Sequence, residues 1–317
     1  MSMSREQPLI GITGGLGAEW SATGSGHRSY AAAVEKAGAK AVPLGHGRHG
    51  RFAQCDGLFV SGGWDVHPKY MKPLPGDENL TLDEVTTKYS IKTEKMRDEV
   101  EMRFIREALA RGKPYLGICR GFQILNIVVG GYLIGDILTR MPDALTHRAD
   151  EDKTSQSHEV TIDPGSILEK CYGSTKIVTN SRHHQGLTPE FVSDKFRITA
   201  MAPDGIVEAV EMKGTPFVVG VQWHPEKQSD EYINSISGPL FAAFVDACSA
   251  YRTARQRSGG SPRAPRPQQR SGGSPCPPRS QQRSGGSPSP PAEAYRSGGS
   301  PRPPGPARRP DTTGRSE

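Results

Sequence analysis

Lys113-Pro-Tyr-Leu-Gly-Ile-Cys119-Arg-Gly-Phe-Gln123 is the stretch on which the fold turns. An apolar strand, Tyr115 to Ile118, runs straight into Gly117-Ile-Cys119-Arg-Gly121, and an apolar helix over Phe122 to Val129 begins at once. This strand–turn–helix order is the shape of a nucleophile elbow, with cysteine in the place of serine. Glycines two residues before and two after Cys119 let the chain turn tightly without side-chain clashes. A helix N-terminus behind the sulfur favours its charged form and aims backbone N–H groups at a developing oxyanion. A buried structural cysteine between two chance glycines is the competing reading of the same residues.

Outward from the elbow, strands and helices alternate. On the N-terminal side, Pro8 to Thr13 reads as a short buried strand, and Arg28 to Lys36 as an alanine-rich helix closed by Gly38. Ala41-Val42 and Gly57 to Val60 are further apolar runs. Val100, Phe104 and Ala108 recur every fourth residue and predict a longer helix, with Gly112 and Pro114 just past its end. On the C-terminal side His158–Ile162, Lys176–Val178, Arg197–Met201, Ile206–Glu211 and Phe217–Val221 read as strands. A last helix, Gly238 to Arg252, turns Leu240, Phe241, Phe244, Val245 and Cys248 inward. Strands joined by crossover helices predict a three-layer α/β fold, a mostly parallel central sheet with helices on both faces. In such sheets the site gathers at the C-terminal strand ends.

Composition divides the chain. Residues 252–317 hold 14 of the 27 prolines, 10 of the 37 glycines, 13 arginines, no lysine and three acids, a net of +10. The whole chain carries +6, which leaves −4 on residues 1–251 once the tail is taken away. The basic balance therefore belongs to the tail, and it gives no ground for a nucleic-acid-binding body. Arg-Ser-Gly-Gly-Ser-Pro recurs at 257–262, 270–275, 283–288 and 296–301. Such a repeat has no apolar face to bury, so 252–317 is expected to be disordered, with at most loose attraction to nucleic acid at low salt. Residues 1–251 suffice for one α/β domain. The five cysteines are scattered, and no Cys/His cluster in the sequence suggests zinc. With no 18-residue apolar run and no signal core, no membrane span is expected and a cytoplasmic location is.

Two more segments carry chemistry. Phe217-Val-Val-Gly-Val-Gln-Trp-His224-Pro-Glu226 delivers a histidine at a strand end with a carboxylate two residues on. Pro225 keeps His224 extended, so Glu226 can fold back to hold the imidazole tautomer. A cysteine elbow and a strand-end His–x–Glu are the parts of a Cys/His/acid triad. Leu58-Phe-Val-Ser-Gly62-Gly63-Trp-Asp65-Val-His-Pro68 opens a buried strand into a Gly-Gly loop that can present N–H groups to an oxyanion. As an ordinary turn it needs no function.

In this order the three segments resemble the class I glutamine amidotransferase-like superfamily, with its flavodoxin-like fold. Within it the chain is most similar to the γ-glutamyl hydrolase branch typified by γ-glutamyl-γ-aminobutyrate hydrolase. The same pattern runs through Arg97-Asp98-Glu99-Val-Glu101, Leu125-Asn126 to Gly131, Asn180-Ser-Arg-His183-His184-Gln185 and Ala202-Pro-Asp204-Gly-Ile-Val-Glu208. It covers about Pro8 to Tyr251. The resemblance implies Cys119 as nucleophile, His224 as base then acid, and Glu226 as its orienter. It also implies an oxyanion held by the backbone N–H groups of Arg120 and Gly63. Gln123 and the Asn180–Gln185 segment, with His183 and His184, are expected near the glutamyl group of a small-molecule γ-glutamyl amide. No metal or organic cofactor is implied, and polyamine (putrescine) catabolism is the implied setting.

The alternative is a glutaminase module handing ammonia to a separate synthase; a scaffold acting through the tail is a third reading. A homodimer stays open. Two departures from the family bear on the leaving amine: a short basic connection between Ala41 and Gly57, and Gly135 where glutamine is common. Gly14-Gly15-Leu-Gly17 invites a dinucleotide loop, but the residues from Glu19 to Gly26 do not read as a helix start. Asn79-Leu-Thr81 matches a glycosylation sequon, with nothing to suggest export.

Overall fold

The computed structural model describes residues 6–14, 25–45, 49–94, 96–150, 152 and 154–258. The Gly15–Gly17 loop and the repeats of 259–317 lie outside the described residues. Among those described, no helix is long and apolar enough to cross a membrane.

The chain forms β1 (Leu9–Thr13), α1 (Ser25–Lys36), β2 (Lys40–Leu44), α2 (His49–Gln54) and β3 (Gly57–Val60). Next come α3 (Leu82–Lys88), α4 (Arg97–Arg111), β4 (Tyr115–Ile118), α5 (Arg120–Val128) and α6 (Ile137–Arg140). The last part is β5 (Gln156–Ile162), α7 (Ile167–Tyr172), β6 (Lys176–Ser181), β7 (Phe196–Met201), β8 (Val207–Met212), β9 (Val218–Val221), α8 (Glu231–Ile236) and α9 (Gly238–Arg257). Nine strands make one sheet in the order β2-β1-β3-β4-β9-β8-β7-β5-β6. The first five of that order pair parallel, and the remaining pairings are antiparallel. Following those directions across the sheet, only β5 and β8 run against the others.

Period-two alternation splits each central strand between two cores. Phe59, Leu116 and Ile118 face α1, α7 and α9, while Leu58, Val60 and Tyr115 face α4 and α5. Both faces of β3 and β4 are buried, which is why these strands read as unbroken apolar runs. The expected three-layer α/β arrangement is therefore present. The sequence locates the long helices; Gly112, in the left-handed region at φ 64°, ends α4.

Several details differ from the sequence reading. The connection before β3 is not bare: α2 occupies it, and buried Phe52 packs edge-on against Phe104. The apparent sequon is a helix start, where Thr81 caps α3 in a reciprocal pair with Glu84. At Gly135 a Cβ would meet the Tyr89 ring at 2.6 Å, so a side chain there would need that ring to shift. Finally, α9 continues past Tyr251 to Arg257 instead of giving way to the tail. Its last turns are tied back: Arg255 pairs with the buried Asp56 at 3.0 Å, and Arg252 donates to the Gln7 carbonyl at 2.6 Å.

Candidate active site

Register builds the site. Val60 of β3 pairs with Gly117 of β4, and Ile118 pairs with Val221 of β9. The elbow after β4 therefore emerges between the Ser61–Gly63 loop on one side and the Gln222–Glu226 segment on the other. Cys119 sits at φ 51° and ψ −105°, a backbone conformation that costs an L-residue on the order of 1–3 kcal/mol. Its N–H donates to the Val221 carbonyl at 2.7 Å. The flanking glycines are dictated by closeness. A Cβ at Gly121 would lie 2.2 Å from the Val60 carbonyl oxygen, and one at Gly117 would lie 2.7 Å from the Gly121 backbone.

The structure brings Cys119, His224 and Glu226 together. His224 Nδ1 is 2.9 Å from Glu226 Oε1, which leaves Nε2 for the sulfur. Burial works against a charged imidazole here, but the Glu226 carboxylate and then the Cys119 sulfur outweigh it and hold His224 up to about 10. The histidine backbone is clasped from β6: its N–H donates to Asn180 Oδ1 at 2.8 Å, and Asn180 Nδ2 donates to its carbonyl at 2.9 Å. Cys119 is 6% exposed. Burial pushes the thiols of Cys55 and Cys171 up to about 11 and that of Cys248 well above its ordinary value.

Gly62, rather than Gly63, faces the imidazole. A Cβ at Gly62 would stand 2.7 Å from His224 Cε1 and 2.9 Å from the Tyr30 hydroxyl. The Gly62 N–H donates to that hydroxyl at 3.2 Å. Arg97 grips the loop, donating to the carbonyls of Ser61 (3.3 Å) and Gly62 (2.9 Å). The Arg120 N–H lies in the first turn of α5, where a helix leaves N–H groups without internal acceptors. The Arg120 side chain is committed elsewhere, to the buried carboxylates of Asp98 and Glu101.

The other expected contacts are spread out. Gln123 donates to the Gln185 carbonyl (3.0 Å) and to Gln222 Oε1 (3.1 Å), tying α5 to the loop after β6. His184 is half-buried between Asp65 (2.9 Å) and Asp136 (3.0 Å). His183 is buried, with Nδ1 on the Gln185 carbonyl at 2.9 Å and Nε2 toward Glu208, and burial pushes it below its ordinary value. Sequence reasoning does not single out Tyr30 or Arg97 as site residues, and it places Asn180 only within a segment expected near the glutamyl group. Tyr30 is the one aromatic of an alanine-rich helix, and Arg97 lies inside a stretch that carries only family pattern. The Tyr30 hydroxyl stands 3.5 Å from His224 Nδ1; burial and then the Glu226 charge push it well above its ordinary value, so it stays protonated. Among the described residues, a cluster that could hold a cation is His147, His158 and Glu208, with His183 beside it.

Known proteins share parts of this sequence and fold. The family described as peptidase C26 matches residues 8–226. γ-Glutamyl-γ-aminobutyrate hydrolase PuuD of Escherichia coli (strain K12) is 40% identical over 167 residues, 51% of this chain and 64% of that protein. The chain thus spans 64%, less than two thirds, of the length of this curated relative. A putative glutamine amidotransferase of Mycobacterium tuberculosis is 33% identical over 217 residues, 65% of this chain and 59% of the other. Among solved structures, the glutaminase domain of Trypanosoma brucei CTPS with bound acivicin superposes with a TM-score of 0.52 at 18% identity. It covers 77% of this chain and 94% of that one, and the likeness is one of fold.

Proposed function

We propose that this chain, which belongs to the peptidase C26 family, is a cysteine-dependent hydrolase of γ-glutamyl amides. The observation that carries the reading is one imidazole, His224, held between the Glu226 carboxylate and a sulfur at a strained elbow. The Cys119 sulfur attacks the γ-carbonyl carbon, and a C–S bond forms as the carbonyl oxygen takes negative charge. The N–H groups of Arg120 and Gly63 receive that oxyanion. The C–N bond breaks, His224 gives its Nε2 proton to the leaving amine, and a γ-glutamyl thioester remains. Water then gives a proton to His224 and attacks the thioester; the C–S bond breaks, releasing glutamate and restoring the enzyme. Water is the only co-reactant in this sequence.

The relative that is named for γ-glutamyl-γ-aminobutyrate supports this substrate class, and polyamine catabolism is the setting we propose with it. The half-buried His184 between Asp65 and Asp136 lies on the loops that would meet the substrate. The test is amine release from γ-glutamyl-γ-aminobutyrate and a panel of other γ-glutamyl amines, with free glutamine alongside. The reading expects the amines to be hydrolysed faster than glutamine. Preference for glutamine would favour an ammonia-supplying glutaminase, and undiminished turnover by Cys119→Ala would overturn the mechanism.

A further inference from the structure

Three imidazoles converge on one buried carboxylate in the antiparallel half of the sheet. Glu208 Oε1 lies 3.5 Å from His183 Nε2, 3.6 Å from His158 Nε2 and 3.6 Å from His147 Nδ1. These separations are long for hydrogen bonds. Among the described residues, His158 Nε2, His183 Nε2 and both Glu208 oxygens are buried without a hydrogen-bond partner. The β7–β8 ladder slips at this point. Ala200 pairs with Ala209 and Met201 with Val207, which leaves Glu208 as an extra residue whose side chain the bulge re-aims.

The second nitrogen of each ring shows which way its hydrogen points. His183 Nδ1 is 2.9 Å from the Gln185 carbonyl, His158 Nδ1 is 3.3 Å from the Glu159 carbonyl, and His147 Nε2 is 2.9 Å from the Asp204 carboxylate. Carbonyl and carboxylate oxygens only accept, so those nitrogens carry hydrogens, and each ring, when neutral, turns a bare lone pair toward Glu208. Ser181 does not supply a hydrogen to His147 Nδ1, because its hydroxyl donates to the His147 carbonyl at 2.9 Å. Lone pairs facing one another in a buried site are costly unless something positive lies between them.

We propose that His147, His158 and Glu208, whose ligand atoms all lie within 4.8 Å of one another, hold a divalent transition-metal ion with His183 beside them, zinc by the nature of the donors. Bonds of about 2.1 Å at tetrahedral angles put ligand atoms roughly 3.4 Å apart, close to the three separations observed here. Imidazole with carboxylate suits zinc better than magnesium or calcium. The carbonyl and carboxylate partners behind each ring are the outer hydrogen bonds that fix metal-binding tautomers. With His183 drawn in as the fourth ligand the coordination sphere is closed, so the ion is structural and takes no part in bond breaking.

Its ligands come from the loop before β5, from β5, from the segment after β6 and from β8. An ion there pins the end of β6, where Asn180 clasps the His224 backbone. It also pins β8, where the Glu208 carbonyl accepts the Gln222 N–H at 2.8 Å. The rival occupant is a proton, one ring being an imidazolium paired with Glu208.

The experiment uses the full chain purified without chelator. Elemental analysis should find close to one zinc per chain in the wild type and equally in Cys119→Ala, which separates this site from the catalytic thiol. The content should fall at least severalfold in Glu208→Gln and in the milder His158→Gln. After stripping, zinc at ~100 times its Kd should raise the wild-type thermal midpoint by roughly 5 °C and leave Glu208→Gln unmoved. Cobalt(II) in its place should give the intense visible absorption of a tetrahedral site. A stripped wild-type chain that neither binds cobalt nor shifts its midpoint with zinc would overturn the proposal in favour of the imidazolium pair. If Glu208→Gln fails to fold, His158→Gln and the wild-type titration still decide.

Discussion

In the parallel half of the sheet, Cys119 and His224 each stand at a strand end within a contiguous run of residues. In the antiparallel half, Glu208 meets histidines at positions 147, 158 and 183, each drawn from a different segment. A parallel strand ends in a loop that leads into a helix, so the residues that shape its chemistry are neighbours in sequence. Antiparallel strands bring side chains together through register, and a single bulge at Glu208 changes which way one of them points. The two centres meet at the end of β6, where Asn180 holds His224 and Ser181 holds His147.

Removing the nucleophile should separate the halves most sharply. Cys119→Ala is expected to lower kcat on a γ-glutamyl amide by roughly 10⁴-fold or more. Its thermal midpoint should stay within about 2 °C of wild type, because alanine keeps the packing and the strained backbone. Steady-state kinetics and a melting curve on one preparation check both. A loss of activity that came with a lost fold would mean the elbow also carries the stability assigned to the rest of the sheet.

That contrast is also why the sequence is legible in one half and not in the other. Gly117, Cys119 and Gly121 fall within five residues and state their geometry locally, as do Trp223 to Glu226. The helix–strand alternation likewise follows from apolar runs and from Gly112 and Gly38. Tyr30 is not legible, because a lone tyrosine among alanines looks like packing until α1 is laid against the Gly62 loop. Nor is the histidine cluster, since spacing along the chain says nothing about which strands pair. The short helices α2, α6, α7 and α8 escape a reading of the sequence because four to six residues carry too little periodicity to be recognised.

Glu226→Gln probes the imidazole alone. The carboxylate favours protonated His224, so its removal should let the ring lose its proton at a lower pH than about 10. The alkaline limb of the pH–rate profile should move down, and kcat should fall by roughly 10³-fold as the wrong tautomer becomes populated. An unmoved alkaline limb would show that the sulfur, and not Glu226, sets the protonation of His224. Gly62→Ala is milder. Its Cβ would press on His224 Cε1 and the Tyr30 hydroxyl, both ends of side chains, and a ring displaced by a fraction of an ångström should cost on the order of 10²-fold in kcat. The histidine cluster should keep its zinc in both variants.

The smallest effects test where the folded part ends, a boundary that composition puts at Tyr251 and the structure carries to Arg257. A stop after Tyr251 removes Arg252 and Arg255 and strands Asp56, which is 1% exposed, without its guanidinium partners. Its carboxylate would keep the Leu9 N–H at 2.9 Å, so a loss of about 2–3 kcal/mol is expected, near the lower end for breaking a buried pair. For a domain of this size that is roughly 5–10 °C in thermal midpoint. A stop after Ser258 leaves those pairs intact and removes only residues with no apolar anchors. It should change neither the midpoint nor kcat/KM by more than about twofold in rate or 1–2 °C in melting. Equal stability of the two truncations would show that the arginine pairs on Asp56 contribute nothing and that the boundary read from composition was adequate.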